Sequence, residues 1–185
     1  MVSQNKELKY LQVTNENLEI AYNIQKEQWK NELDKQNFID KANNFDEYNV
    51  SFIVYYQNIP IGITGVYTED IDKDSIWLDW FCVVPEYRKK GLGEQILRDT
   101  IEYAKKIGNF LYFRVETTYW KGRPAVSLYD KVMHVKEEYT VENKSLDKPI
   151  LIYTYNYTDK SELWNNRLLD LNNYYKQLKT IKDYE

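Results

Sequence analysis

The chain is short of the residues that make cross-links and metal sites. It has one cysteine, Cys82, and one histidine, His134. A lone cysteine excludes an intrachain disulfide. One histidine and one cysteine far apart in sequence make no ligand constellation, and no EF-hand spacing is present, so no metal is expected. No run approaches the roughly 20 apolar residues of a membrane span, and the opening MVSQNKELKY lacks the apolar segment of a signal peptide. The expectation is therefore a soluble, cytoplasmic protein. Positive charge is also short: the net charge of −4 argues against a nucleic-acid partner and mildly for a cationic one. Neither internal repeats nor low-complexity segments occur.

Hydrophobic residues make up 43% of the 185, with eighteen tyrosines and five tryptophans. That suits one domain with a single core and aromatic walls. Glu7 to Val13 reads as a strand, and Thr14 is placed to cap a helix over 15–29. A second short helix lies within 31–44. Two β-rich runs, 49–56 and 61–67, are joined by a hairpin at Gln57-Asn58-Ile59-Pro60. Ser75 to Val84 is apolar on both faces and reads as a central strand, apart from Asp79. Leu92, Ile96, Leu97, Ile101, Ala104 and Ile107 stripe a helix that Gly108 closes. Asn109 to Thr117 is a strand, Pro124 opens a helix to about Met133, and 137–141 pairs with 150–157.

From Ser161 to Ile181 the spacing of Trp164, Leu168, Leu171, Tyr175 and Leu178 predicts a C-terminal helix. It packs on its own domain or forms the seam of a homodimer. The fold class is thus α+β: a mixed, mostly antiparallel central sheet flanked by helices, with an added C-terminal helix. Residues 1–160 form the domain and 161–185 its helical extension.

The stretch Val84-Pro85-Glu86-Tyr87-Arg88-Lys89-Lys90-Gly91-Leu92-Gly93-Glu94-Gln95-Ile96 places two of only six glycines between that strand and a helix. A helix start leaves about four backbone N–H groups unpaired and carries partial positive charge. Glycines there let an anion approach those amides. Arg88, Lys89 and Lys90 add screening charge, and the whole describes a pyrophosphate cradle. It is neither a Walker A loop nor a dinucleotide fingerprint.

This run resembles the acetyl-coenzyme A motif of the GNAT superfamily of N-acetyltransferases, Arg/Gln-x-x-Gly-x-Gly/Ala, with Arg88, Gly91 and Gly93 in the signature positions. The element order is similar from about Lys6 to Tyr157. The resemblance implies that backbone groups of Phe81, Cys82 and Val83 hold the pantetheine arm. It also implies that amides of Lys89, Lys90, Gly91, Leu92, Gly93 and Glu94 hold the pyrophosphate, with acetyl-CoA as co-substrate. The segment Ala125-Val126-Ser127-Leu128-Tyr129-Asp130-Lys131 resembles the family's A-x-x-L-Y-E-K, which implies that Tyr129 protonates the leaving thiolate.

An amine with pKa near 10.4 needs a base at neutral pH. Asp79 and Glu116 are the two candidates, each with a rival reading as a salt-bridge partner. Cys82 reads as a buried structural thiol and His134 as structural. Two departures concern the edge of the acceptor pocket: Tyr119-Trp120-Lys121-Gly122-Arg123-Pro124 replaces an asparagine, and Val132-Met133-His134 replaces Leu-Gly-Phe. The reading is an acetyl-CoA-dependent N-acetyltransferase that moves an acetyl group to a primary amine by direct transfer in a ternary complex. The acceptor is a small molecule or a peptide, with Trp77, Trp80 and Trp120 as pocket aromatics. The alternative is a non-catalytic acyl-CoA-binding regulatory module.

Overall fold

Residues 7–29, 34–70, 72–119, 123–141, 149–164 and 175–182 are described in the computed structural model. In chain order the elements begin with β1 (Leu8–Gln12), α1 (Leu18–Gln28), α2 (Lys35–Asn43), β2 (Val50–Tyr56) and β3 (Ile59–Tyr67). Then come β4 (Ser75–Leu78), β5 (Cys82–Val83), α3 (Leu92–Ile107) and β6 (Tyr112–Thr118). Last are α4 (Pro124–Val132), β7 (Val135–Val141), β8 (Ile150–Asn156) and β9 (Tyr175–Lys182). The architecture is α+β with mostly antiparallel pairing. It resolves into two compact units: Met1–Tyr67 with Leu78–Tyr103, and Thr68–Trp77 with Ala104–Glu185.

In the first unit β1, β2 and β3 form an antiparallel ladder, and β5 pairs with β3. Gln57 and Asn58 both have positive φ, 52° and 63°, the conformation of a two-residue hairpin turn whose twist matches the strands. Pro60 lies inside β3 beside a register shift at Val54/Tyr55, where a missing N–H is tolerated. Helix α1 begins at Leu18, later than Thr14 suggests; Asn17 holds the N-cap position without capping through its side chain, which instead ties the entry loop by accepting from the Thr14 N–H (2.8 Å) and donating to the Gln12 carbonyl (2.9 Å). Asp34 caps α2 by accepting from the Asn37 N–H at 3.0 Å. Ala21, Ile24, Phe38, Ile53, Val54, Ile61, Ile63, Leu92 and Ile96 form the buried core of this unit.

The central strand expected over Ser75–Val84 is interrupted. β4 pairs in parallel with β6 over Ser75–Trp77. From Asp79 onward the pairing to β6 ends and the backbone bonds to β3: Asp79 N–H to Gly65 O (3.0 Å), the pairs Ile63↔Cys82 and Gly62↔Val83, and Val84 N–H to Ile61 O (2.8 Å). The close approach requires Gly62, where a Cβ would stand 2.2 Å from the Cys82 carbonyl oxygen. Asp79, Trp80 and Phe81 fall in the gap and are half-buried.

In the second unit β6, β8, β7 and β9 pair antiparallel in that spatial order. The C-terminal helix is corrected here. Tyr175–Lys182 is a strand paired with β7, and Ser161–Trp164 is irregular, while 165–174 lie outside the described residues. Adding β9 satisfies the amides and carbonyls that β7 would otherwise leave at a sheet edge. Trp164 does not start a helical stripe, because its N–H donates to Glu137 Oε2 (2.9 Å) and its ring meets the edges of Trp77 and Tyr139. Buried Arg114 anchors the same region. Its Nε donates to Ser75 Oγ (2.9 Å) and its Nη1 to Thr154 Oγ1 (2.7 Å), with Asp72 and Glu137 at 3.9 and 4.0 Å.

Candidate functional site

The segment after β5 turns tightly into the start of α3. Pro85–Tyr87 form one tight turn, closed by Tyr87 N–H to Val84 O (3.0 Å) and Arg88 N–H to Pro85 O (3.2 Å). The chain then takes positive φ at Lys89 (57°) and Gly91 (79°). Gln95 N–H closes on Gly91 O (3.2 Å), so Gly91 is the residue from which α3 starts. A helix start turns the amides of its first residues, here Leu92, Gly93 and Glu94, outward along its axis. The ideal Cβ at Gly91 meets nothing within 4 Å; the glycine is needed for its left-handed backbone, and open space lies beside it. Leu92, Ile96 and Leu97 are fully buried, and Thr100 is hydrogen-bonded to Thr64 (2.8 Å), which holds the helix rigid behind the turn.

Arg88 also has a bracing role. Its Nε donates to Val83 O at 2.7 Å and its Nη2 to Gln28 Oε1, so the guanidinium braces the loop against β5 and the end of α1. Lys89 and Lys90 remain exposed, with Lys90 Nζ 5.0 Å above the Tyr87 ring.

Asp79 meets two partners that sequence reasoning missed. Lys41 Nζ is 2.5 Å from Asp79 Oδ2, with the two side chains only 3% and 11% exposed. Ser51 Oγ donates to the same oxygen at 3.2 Å. The arrangement is that of a buried ion pair with a hydroxyl bridge. Lys41 follows Phe38 by three positions, which puts it on the buried face of α2; that spacing was the available signal. Cys82 is buried, and desolvation, outweighing the Ile63 backbone bond and Arg88, pushes its thiol up to about 12. It is a protonated structural thiol at neutral pH.

Two further candidates belong to the second unit. Glu116 lies on β6 opposite Ile152 and reaches solvent, with no hydrogen-bond or ion-pair partner among the described residues. The protein mass around it still desolvates the carboxyl and raises it above the usual Glu range. Tyr129 on α4 is 4% exposed, its ring 5.4 Å from that of Tyr153. His134 is structural in form: its Nδ1 accepts from the Asn156 N–H (3.0 Å), it stacks on Tyr155, and desolvation lowers its pKa.

Trp77 is not a pocket aromatic. It is buried and donates to Asp72 Oδ2 at 3.2 Å. Trp80 is half-buried and meets Trp29, just past the end of α1, edge to face; no spacing in the sequence pairs the two. Trp120 lies outside the described residues. Among those residues no group of three or more His, Cys, Asp or Glu could hold a metal, and no helix is long and apolar enough to cross a membrane.

An interrupted strand leads here through a proline turn to a glycine-opened helix start, the kind of backbone geometry that suits an anion. Residues 16–134 match the family described as acetyltransferase (GNAT) family, and the chain belongs to it. By that membership it is an acetyltransferase.

Three solved structures are similar. NAA60 of Arabidopsis thaliana in complex with acetyl-CoA is 14% identical, covering 82% of this chain and 99% of its own, at a TM-score of 0.66. The ribosomal-protein-S18-alanine N-acetyltransferase of Escherichia coli is 17% identical, covering 84% and 97%, at 0.63. Mutant forms of the spermidine/spermine N-acetyltransferase SpeG of Vibrio cholerae are 17% identical, covering 82% and 95%, at 0.65. At such identities the likeness is one of fold. No curated protein matches the sequence significantly.

Proposed function

We propose that the protein transfers an acetyl group from acetyl-CoA directly to a primary amine. The observation that carries this reading is the platform at Lys89–Glu94, with its left-handed Gly91, open space beside it and the start of α3 behind. Amides of Lys89, Lys90, Gly91, Leu92, Gly93 and Glu94 hold the diphosphate. Main-chain groups of Phe81, Cys82 and Val83 hold the arm along β5. When bound, acetyl-CoA supplies an acetyl thioester: the amine nitrogen forms the amide bond as C–S breaks, one ammonium proton passes to a base and sulfur takes another.

Direct transfer is favoured because the chain's single cysteine is buried and its thiol is pushed up to about 12. Of the two carboxylates, Glu116 suits the base, since its carboxyl is unpaired among the described residues and raised toward neutrality. Asp79 is already engaged by Lys41 and Ser51. Tyr129 returns the proton to sulfur, a role supported by the A-x-x-L-Y-D-K segment that carries it.

Calorimetric titration with coenzyme A, followed by thiol release against a panel of primary amines, tests the reading. Gly91→Ala is expected to weaken coenzyme binding about tenfold, because a side chain at that φ strains the loop by about 1–3 kcal/mol. No association of the native protein with coenzyme A refutes the proposal. Binding without any amine-dependent thiol release supports the non-catalytic module instead.

A further inference from the structure

The stretch between β4 and β5 gives the coenzyme arm a direction and, at its far end, holds two half-buried indoles. If the diphosphate sits at Lys89–Glu94, an arm that follows β5 runs backward along the chain, from Val83 through Cys82 to Phe81. Its reactive end therefore arrives at Trp80, the next residue. Trp80 lies where the chain has left β4 and not yet begun β5, and it is half-buried. Trp29, also half-buried, closes on it from the residue that caps the C-terminal end of α1, with ring centroids 5.0 Å apart and planes at 67°. An edge-to-face pair uses the face of one ring and the edge of the other, so aromatic surface remains at this corner.

The same helix end is tied to the coenzyme segment at a second point, through Gln28 and Arg88. The corner is thus held in place relative to the arm. Exposed Glu27, one residue before Gln28, adds negative field that reaches Cys82. An indole face is the strongest aromatic partner for an ammonium group, and a primary amine is mostly protonated at neutral pH.

We infer that Trp80 and Trp29 form the acceptor seat, holding an amine that carries cationic groups on an aliphatic chain against an indole face beside the end of the coenzyme arm. This rests on the acetyl-transfer reading above and narrows its substrate class: di- and polyamines or lysine-like side chains over neutral or anionic amines. The two tryptophans are specificity-determining residues, and neither takes part in proton transfer.

The test is calorimetric titration of 1,5-diaminopentane into the full-length protein saturated with coenzyme A, beside 5-aminopentanoate, which has the same chain length and lacks the second cation. The native protein should prefer the diamine at least tenfold. Trp80→Leu and Trp29→Leu keep apolar volume and remove the indole; each should weaken diamine binding by about three- to thirtyfold, the range of one to two cation–π contacts. Trp80→Phe should recover part of the loss, and coenzyme A affinity should stay within twofold in all variants. Equal affinity for the two ligands, or diamine affinity unchanged in both leucine variants, overturns the inference while the acetyl-transfer reading stands. Should a leucine variant fail to fold, as judged by its loss of coenzyme binding, the phenylalanine variants at both positions and the native ligand preference decide it. Absence of coenzyme A binding by the native protein would instead remove the reading on which the inference rests.

Discussion

Replacing Lys41 by methionine removes one half of a buried ion pair, and the consequence can be worked through from its geometry. The ammonium is 2.5 Å from Asp79 Oδ2, and the side chains are 3% and 11% exposed, so this is the buried regime rather than the screened one. Without Lys41 the carboxylate keeps, among the described residues, the Ser51 hydroxyl at 3.2 Å, a bond worth about 1 kcal/mol net. Leaving a buried charge uncompensated costs about 3–5 kcal/mol, a shift of roughly a hundred- to several-thousandfold in the unfolding constant. That is a large share of the roughly 5–15 kcal/mol that holds a domain folded.

Asp79→Asn should cost a similar amount by stranding the lysine. The double variant Lys41→Met/Asp79→Asn removes both charges and should return to within about 1–2 kcal/mol of the native protein. Urea denaturation of all four proteins closes the cycle. A sum of single effects equal to the double effect, or single effects below about 1 kcal/mol, refutes the reasoning, because the pair would then behave as a solvated surface bridge. The double variant also separates the two base candidates. Turnover within a few-fold of native is expected, whereas a general base lost from Asp79 would lower kcat by about 10²–10⁴.

Three further outcomes are expected. With its thiol at about 12, Cys82 carries a thiolate fraction of about 10⁻⁴ at pH 8, against about a quarter for an unperturbed cysteine. Iodoacetamide should therefore label it at least a thousandfold more slowly in the native protein than in urea, and comparable rates would contradict its burial. Glu116, raised by desolvation, binds its proton more tightly folded than unfolded. Its contribution to stability is full below the unfolded value and is lost as pH rises through the folded one, a slope that Glu116→Gln should abolish in denaturation curves; the same variant should erase the acidic limb of the pH–kcat profile. Tyr129→Phe should lower kcat by about ten- to a thousandfold with coenzyme affinity unchanged, and an unaltered kcat with chemistry rate-limiting would remove it from the mechanism.

The turn that opens α3 was legible in one dimension because its geometry is set locally. Pro85, Gly91 and Gly93 stand within nine residues of one another, and a turn into a helix start is set by the backbone preferences of those residues in sequence. The amphipathic stripe of α3 and the hairpin between β2 and β3 are likewise short-range patterns, and both formed near the positions read for them.

What the sequence could not determine were pairings between residues far apart along the chain. Asp79 read as a base or a salt-bridge partner without a named cation, and folding set it against Lys41, 38 residues away. Trp77 and Trp80 were equivalent pocket aromatics by composition; one is buried against Asp72 and the other is half-exposed beside Trp29. The C-terminal segment carried a helical spacing, yet Tyr175–Lys182 became a strand because β7 offered it an edge of unpaired amides and carbonyls. Local propensity is worth tenths of a kilocalorie per residue, and a ladder of hydrogen bonds beside a buried core outweighs it. Only the tertiary structure supplies that ladder.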